Sequence, residues 1–374
     1  MAEPFKNMLN EKVIIGMAGF LVNAWVEFDR FGFVSMATNN LDDLELKERS
    51  MQITEALVVF LPDDFDHAAR IMLESLAPEV VGEIDVQPSN QGISGWAIMP
   101  MVDYVGLYGV GHFDVSMTLF KELTKRSSSE LGIRFFLLHE PERTMAVLNT
   151  WLNDPNHHVR RLISEGTRPR LPWAMRLPVF IEDPSPVLLL LEALKDDEQE
   201  YVRRSVANNL NDIAKDHPDL IAEIAARWLK DADKNRVRLV KHACRTLIKQ
   251  GHKGALKALG YNAPHVVIEK LEIITPEVEF GEALLFEMSL ASTLEHNQNL
   301  IIDYAIHHKK ANGKTTPKVF KWKTTTLAPS KSLFAKRKHA IKKITTRSYY
   351  PGTHHLEIFI NGVSFGSKEF ELIM

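Results

Sequence analysis

The sequence predicts a mainly α chain in two parts: stacked helical hairpins over about residues 1–262, then a small all-β sandwich over 263–374. Three observations carry that expectation. Amphipathic helical patterns recur at near-regular spacing in the first part. Short alternating apolar runs, divided by turn residues, replace them in the second. The charge balance also changes sign there. Residues 262–374 carry 15 Lys+Arg against 11 Asp+Glu, leaving −7 on residues 1–261 within a net charge of −3.

In the first hundred residues, Met51 to Phe60 and His67 to Leu76 place apolar side chains at three- and four-residue spacing, and Leu61-Pro62-Asp63-Asp64 breaks the pattern between them. The stretch from Gln87 to Gly92 is expected to be a loop. Gly106, Gly109 and Gly111 run as G-x-x-G-x-G, which is not the dinucleotide fingerprint and follows no clear strand; a turn or a helix-packing feature accounts for them.

From about residue 127 the helices become regular. Val159-Arg160-Arg161, Val202-Arg203-Arg204 and Val237-Arg238-Leu239 each follow an acidic-polar turn, at spacings of 43 and 35 residues. That range brackets the period of HEAT-type helical hairpins, so a HEAT-like repeat α-solenoid is predicted. Each hairpin buries its apolar face only by stacking on neighbours, and stacking would set the polar faces of equivalent helices along one concave surface.

Three helices would line it. A helix from about His158 puts Arg161, Glu165 and Arg168 on one face, opposite Val159, Leu162 and Ile163. Gly166, Pro169 and Pro172 then stop it and leave Trp173 at a rigid turn. The second offers Ser205, Asn208, Asn209 and Asp212, opposite Val202, Val206, Leu210 and Ile213. The third offers Arg238, His242 and Arg245, opposite Val237, Val240, Cys244, Leu247 and Ile248. On spacing alone this is either a site for an anionic polymer or a surface salt-bridge ladder.

After Ala258–Pro264 the runs Val267 to Ile273, Leu284 to Leu290, Leu300 to Ile306 and Leu356 to Ile360 alternate like strands, with Asn312-Gly313 and Asn361-Gly362 as hairpin signals. Several short strands in about 110 residues suggest a small all-β immunoglobulin-like sandwich without that fold's paired cysteines. Residues 304–356 hold 13 basic residues and no Asp or Glu, Lys336-Arg337-Lys338 among them. This is a footprint for polyanions or a solvated basic loop.

Composition narrows the chemistry. One cysteine, Cys244, excludes an internal disulfide framework and any multi-cysteine metal site. No apolar stretch approaches the length of a membrane span, and residues 1–10 lack the pattern of a signal peptide. A soluble chain in a reducing cytoplasm is therefore expected. There is no H-E-x-x-H, no P-loop and no Ser-centred elbow, and the pairs His307-His308 and His354-His355 cannot face one metal. Carboxylates remain as catalytic candidates: Glu165, Asp212 and Glu130. Each has a structural alternative. Glu130 fits a capping box with Ser127, Glu165 can pair with Arg161, and Asp212 can be a solvated helix acid.

The stretches His158–Ala174, Tyr201–Pro218, His112–Met117, Ser128–Arg134 and Arg245–Lys249, with Ala255-Leu256 and Gly260-Tyr261 after it, resemble the bacterial DNA alkylation repair glycosylases built from HEAT-like repeats, in their AlkC branch. The likeness covers about residues 1–261, and some members of the branch add a C-terminal immunoglobulin-like domain. Phe135 departs from the pattern, in which proline follows Ile-Arg. The resemblance implies hydrolysis of the N-glycosidic bond of cationic methylated bases, 3-methyladenine and in some members 3-methylcytosine, in double-stranded DNA. It implies a domain for that chemistry at 1–262, a DNA-gripping basic sandwich at 263–374, a monomer, no cofactor and no metal. Glu165 and Asp212 would meet the sugar cation and water, with Glu130 as a third acid. Trp173 would pack on the deoxyribose or the lesion, or else simply cap its turn. Arg161, Arg168, Arg204 and Arg245, with Asn208 and with Lys336, Arg337 and Lys338 of the sandwich, would hold DNA. No lysine nucleophile is evident at the site, although Lys241 and Lys249 lie near the third helix, so a monofunctional enzyme is expected. The reading from a different class is a non-catalytic HEAT-type scaffold for DNA or protein. Acids set among arginines distinguish the two, since a pure phosphate groove gains nothing from carboxylates that repel its ligand.

Overall fold

A computed structural model describes residues 4–79, 82–83, 89–345 and 347–374; Gln87 and Pro88 of the expected loop lie outside the described residues. The chain divides into two compact units, Met1–Asp216 and His217–Met374. The first holds α1 (Glu11–Ala24), α2 (Arg30–Ala37), α3 (Leu46–Phe60), α4 (Phe65–Glu74), α5 (Ile98–Tyr108), α6 (Phe113–Thr124), α7 (Ile133–His139), α8 (Pro141–Thr150), α9 (His157–Gly166), α10 (Pro178–Glu182), α11 (Ser185–Leu194) and α12 (Glu200–Ile213). The second holds α13 (Pro218–Leu229), α14 (Lys234–Ala243), α15 (Arg245–Lys249) and α16 (Lys253–Ala258), followed by eight strands.

Local chemistry explains the helix starts. Asn10, Asp64, Asn156 and Asp233 cap α1, α4, α9 and α14 through their side chains, and Glu45 forms a capping box with Glu48 at α3. Prolines open α8 and α13, where a missing N–H costs nothing. Two expected helices end so that an arginine leaves the projected face, the first at the expected stop and the second at a break. The first stops at Gly166, so Arg168 lies in the turn beyond it, and Thr167 Oγ1 bonds back to the Ile163 carbonyl at 2.8 Å. The third breaks at Cys244 into α14 and α15, so Arg245 opens a new helix and does not continue the face of Arg238 and His242.

The repeated Val-Arg-Arg motif has a packing reason. Buried Arg160 reaches across to the acidic turn before α12, forking onto Asp197 at 2.6 and 3.0 Å, and also donates to the Asp154 carbonyl at 2.8 Å. One repeat's arginine thus staples the next repeat's turn. Gly106 and Gly109 serve packing: a Cβ at Gly106 would come within 2.7 Å of the Phe135 ring, and one at Gly109 within 2.3 Å of Ser116 Oγ. Phe135 sits inside α7, which stays helical around it.

The strands are β1 (Val266–Ile273), β2 (Glu277–Glu279), β3 (Ala283–Ser292), β4 (Gln298–Lys309), β5 (Thr315–Leu327), β6 (Ser332–Ala340), β7 (Gly352–Ile360) and β8 (Val363–Ile373). They form sheets ordered β1-β3-β6 and β2-β8-β7-β4-β5, antiparallel except for the β2–β8 pair. Phe286, Met288, Ile302, Tyr304, Leu356, Ile358 and Phe370 fill the space between the sheets. Asn361 and Gly362 both have positive φ, as a two-residue hairpin turn requires. That turn touches the α15–α16 turn and the linker after α16, in its own unit: a Cβ on Gly251 would fall 2.9 Å from Gly362 Cα, and Asn361 Nδ2 donates to the Asn262 carbonyl at 2.8 Å. The change from helix to strand therefore falls inside the second unit. The all-basic segment, read from sequence as a polyanion footprint or a solvated basic loop, builds both β5 and β6 in full.

Candidate active site

Packing of α9 against α12 assembles the site. Asn209 ties the two helices together, donating to the Ser164 carbonyl at 2.8 Å and to Thr167 Oγ1 at 3.1 Å. Ser205, Asn209 and Asp212 are therefore buried at a helix–helix contact and do not lie on an open concave face. Asn208 is half-buried and Arg204 exposed.

Arg168 is the centre of the cluster. Its Nη1 donates to Glu165 Oε1 at 2.6 Å and its Nε to Asp212 Oδ2 at 2.8 Å, so one guanidinium bridges the two acids. Ser205 Oγ donates to Glu165 Oε2 at 2.6 Å, and Lys215 Nζ to Asp212 Oδ1 at 2.8 Å. Arg161 holds the third acid: Nη1 donates to Glu130 Oε2 at 2.5 Å and to Ser128 Oγ at 3.1 Å, while Nη2 stands 3.6 Å from Glu165 Oε1. The Arg161 guanidinium stacks 4.9 Å from the centre of the Tyr201 ring. Ser128 also donates to Glu130, which caps no helix, because α7 begins only at Ile133. The capping-box expectation for Glu130 fails for that reason.

Burial pushes the Glu165 carboxyl up, but Arg161, Arg168 and the Ser205 hydroxyl outweigh it and hold the group below the usual carboxylate range. Burial likewise disfavours the charge on Arg161 and Arg168, and the facing carboxylates raise both above the ordinary arginine value. Glu165, Arg161 and Arg168 are therefore ionised at neutral pH, and their charges are kept by pairing.

Beyond α9 the chain turns through Pro169 and Pro172 to Trp173, whose φ of +66° is unusual for a bulky residue. Its side chain is 57% exposed and meets the Phe5 ring edge-on at 6.1 Å, with Trp96 a further 6.1 Å from Phe5. Lys47 Nζ donates to the Trp173 carbonyl. Trp173 is thus a presented aromatic ring, and the expectation of a core aromatic closing its turn is not met. Arg170, also on this segment, forks onto Asp216 at 2.9 and 2.7 Å.

Residues 267–374 match the family described as Uncharacterised protein YhaZ, C-terminal Ig-like domain. Over 369 residues the chain is 37% identical to the Uncharacterized protein YhaZ of Bacillus subtilis (strain 168), covering 98% of this chain and 99% of that protein. The solved structure of Pseudomonas fluorescens alkylpurine DNA glycosylase AlkC, bound to DNA containing an abasic site analog, is 35% identical and covers 100% of both chains with a TM-score of 0.90. The chain belongs to the AlkC branch of the HEAT-like repeat family, together with YhaZ.

In this AlkC-branch chain, the three acids foreseen from sequence come together with Arg161 and Arg168, and Trp173 follows on the same segment. The remaining residues expected to hold DNA are spread more widely. Arg245 belongs to the second unit, where its Nη1 donates to the His242 carbonyl at 2.9 Å. The alternation of β6 splits the basic triplet: Lys336 and Lys338 face outward, while Arg337 turns inward, with a buried Nε and its guanidinium 5.8 Å from the Tyr304 ring centre. Arg337 is therefore a poor phosphate ligand, a consequence of the period of two along a strand. Lys336 pairs with Glu287 at 3.0 Å.

Several members of the site were not foreseen: Ser128, Tyr201, Lys215, Lys47, Phe5 and Arg134. They lie on other elements, and no local spacing links them to α9. Among the described residues, no group of three or more His, Cys, Asp or Glu could hold a metal ion, and no helix is long and apolar enough to cross a membrane.

Proposed function

We propose that the chain is a monofunctional DNA glycosylase that hydrolyses the N-glycosidic bond of cationic alkylated bases in duplex DNA, with 3-methyladenine and 3-methylcytosine as the lesions to test. The observation that carries this reading is the bridge of Arg168 between Glu165 and Asp212, in a chain alike along its whole length to an alkylpurine glycosylase. A methylated, positively charged base leaves without being protonated, so the enzyme needs no general acid. Its task is to stabilise an oxocarbenium-like sugar and to position water. Glu165, held ionised, suits the first role and is unsuited to donating a proton. Asp212 and Glu130 supply further negative charge beside it. Each carboxylate has acceptor capacity beyond the bonds it already receives.

The arginines divide the work. Arg161 and Arg168 are committed to carboxylates, so in this reading they orient the acids. Exposed Arg204 and Lys338 would meet phosphates, joined by Arg245 and Lys336 beyond the bonds that these two already make, to give salt-sensitive, sequence-independent affinity. Trp173 would rest on the deoxyribose or the lesion, its ring steadied by Phe5. A monomer acting in the cytoplasm, without cofactor, completes the proposal.

The test is base release from methylated duplex by the wild type and by Glu165→Gln and Asp212→Asn. We expect Glu165→Gln to slow release by a factor on the order of 10²–10³, as removal of a group that stabilises transition-state charge does. No release by the wild type above the spontaneous rate would leave the non-catalytic scaffold in its place. Unchanged rates in both variants would remove these acids from the chemistry.

A further inference from the structure

We infer that Arg134 is a positioning residue for this site, setting the segment that carries both Arg168 and Trp173. The inference rests on the glycosylase reading above but on different residues. Arg134 is fully buried on α7. A buried arginine is ordinarily matched by a carboxylate. This guanidinium instead donates to backbone carbonyls: Gly166 at 2.9 Å, Arg168 at 2.8 Å, and Met175 at 2.8 Å from Nε and 2.5 Å from Nη2. Those three carbonyls bracket residues 166–175. They mark the last turn of α9, the arginine that bridges the two acids, and the far side of the Pro169–Trp173 bend.

The geometry has a specific consequence. Arg168 lies past the end of α9, where its N–H makes only a closing-turn bond to the Glu165 carbonyl at 3.3 Å. The regular helical ladder no longer fixes the backbone from which its side chain reaches Glu165 and Asp212. Arg134 holds the Arg168 carbonyl directly. The same guanidinium closes a segment containing two prolines and a tryptophan at positive φ, acting with the Leu177 N–H bond to the Pro169 carbonyl at 3.1 Å, Lys47 on the Trp173 carbonyl and the Arg170–Asp216 fork. A planar fork with five donors can span carbonyls that a single ammonium cannot. Burial and the nearby Arg168 charge lower the Arg134 pKa to about 10, so the group remains charged at neutral pH. An apolar side chain would fill the volume and leave the carbonyls unsatisfied; the arginine places them.

Two measurements on the full chain test this. The first is single-turnover release of 3-methyladenine from methylated duplex, with affinity measured separately on a duplex containing an abasic-site analogue. Arg134→Lys should slow release about tenfold or more while its Kd stays within about threefold, since misplacement costs the reacting geometry more than phosphate contacts. Arg134→Ala should lose about 10²-fold. Millimolar guanidinium should restore part of that loss without speeding the wild type. A wild-type rate in Arg134→Lys, a rate loss matched by an equal loss of affinity, or no rescue of the alanine variant would overturn the assignment. Loss of folding in both variants would also overturn it, showing Arg134 to be a determinant of the whole helical unit.

The second measurement needs no activity. Amide hydrogen exchange in Arg134→Lys should accelerate over residues 166–177 and stay unchanged in α1 to α4. Unaltered or uniformly faster exchange refutes the role. If the wild type releases no base, the glycosylase reading falls while exchange still decides whether Arg134 sets this segment.

Discussion

The buried acids and arginines around α9 and α12 are charged and paired, whereas three buried histidines of the sandwich core are neutral and packed on aromatics. Glu165, Asp212 and Arg168 lie out of water, yet each charge finds an opposite charge within 2.8 Å. In the sandwich, burial pushes the imidazoles of His308 and His339 down to about 3 and about 4, with the nearby Arg347 charge adding to the effect. His354 is lowered for the same first reason, burial, against the opposing pull of its bond to the Tyr350 carbonyl. His339 meets Tyr304 Oη at 3.0 Å, and His354 packs on Phe370. Both regions meet the cost of burying a polar group. One pairs the charge, and the other discards it. Of the two sets, only the ionised acids carry the charge that the proposed chemistry on a cationic sugar would need.

The comparison can be broken at several points. The largest expected effect is Arg168→Met, which removes the guanidinium shared by two buried carboxylates and leaves them to Lys215, Ser205 and Arg161. It should cost about 3 kcal/mol of stability in urea unfolding. A loss below about 1 kcal/mol would mean that pairing does not hold this cluster. Acid provides the next test, with a definite sign. His308 and His339 have folded pKa values below the unfolded value of about 6.5, so the unfolded chain binds more protons below that pH. Their contribution is complete above pH 6.5 and is lost as pH falls toward 4. Each histidine should remove roughly 2 kcal/mol by pH 5, read from denaturant midpoints across pH, and His339→Gln should flatten that slope. Glu165, lowered from the ordinary carboxylate value of about 4.5, contributes fully above that pH and fails only below it. Acid should therefore weaken the sandwich before the acid–arginine cluster; the reverse order would invert the comparison.

Smaller effects sharpen it. Glu130→Gln removes the carboxylate nearest Arg161 from a half-buried position and should cost about 1 kcal/mol, visible as a lower melting temperature. At the outer face of β6, Lys338→Ala should change stability by less than about 0.5 kcal/mol. It should still lower the salt dependence of DNA binding by about one counterion. An unchanged salt slope would show that this face does not meet phosphate.

The repeat spacing of 43 and 35 residues, the core stripe Val202–Val206–Leu210–Ile213 and the Asn361-Gly362 turn were legible because each depends on neighbours within a few residues. So was the set of acids and arginines around α9. Their arrangement was less so. Gly166 ends α9 two residues before Arg168, as its residue type predicts, so the projected face could not carry through to that arginine. The inward turn of Arg337 depends on the register of β6 against β3, where it pairs with Phe286. β5 was hidden because its Lys- and Thr-rich sequence buries little and so shows a weak apolar alternation.

By itself the sequence determined two things: a helical repeat followed by a basic sandwich, and the residue types able to stabilise a sugar cation. Periodicity and composition act locally, so they survive without coordinates. Only the tertiary structure decided that Arg168 bridges Glu165 and Asp212, that Arg161 serves Glu130, and that Arg134, 32 to 41 positions away from the carbonyls it holds, shapes the segment ending in Trp173. Those contacts join elements far apart in the chain. Their partners are chosen by packing, and packing leaves no periodic trace in the sequence.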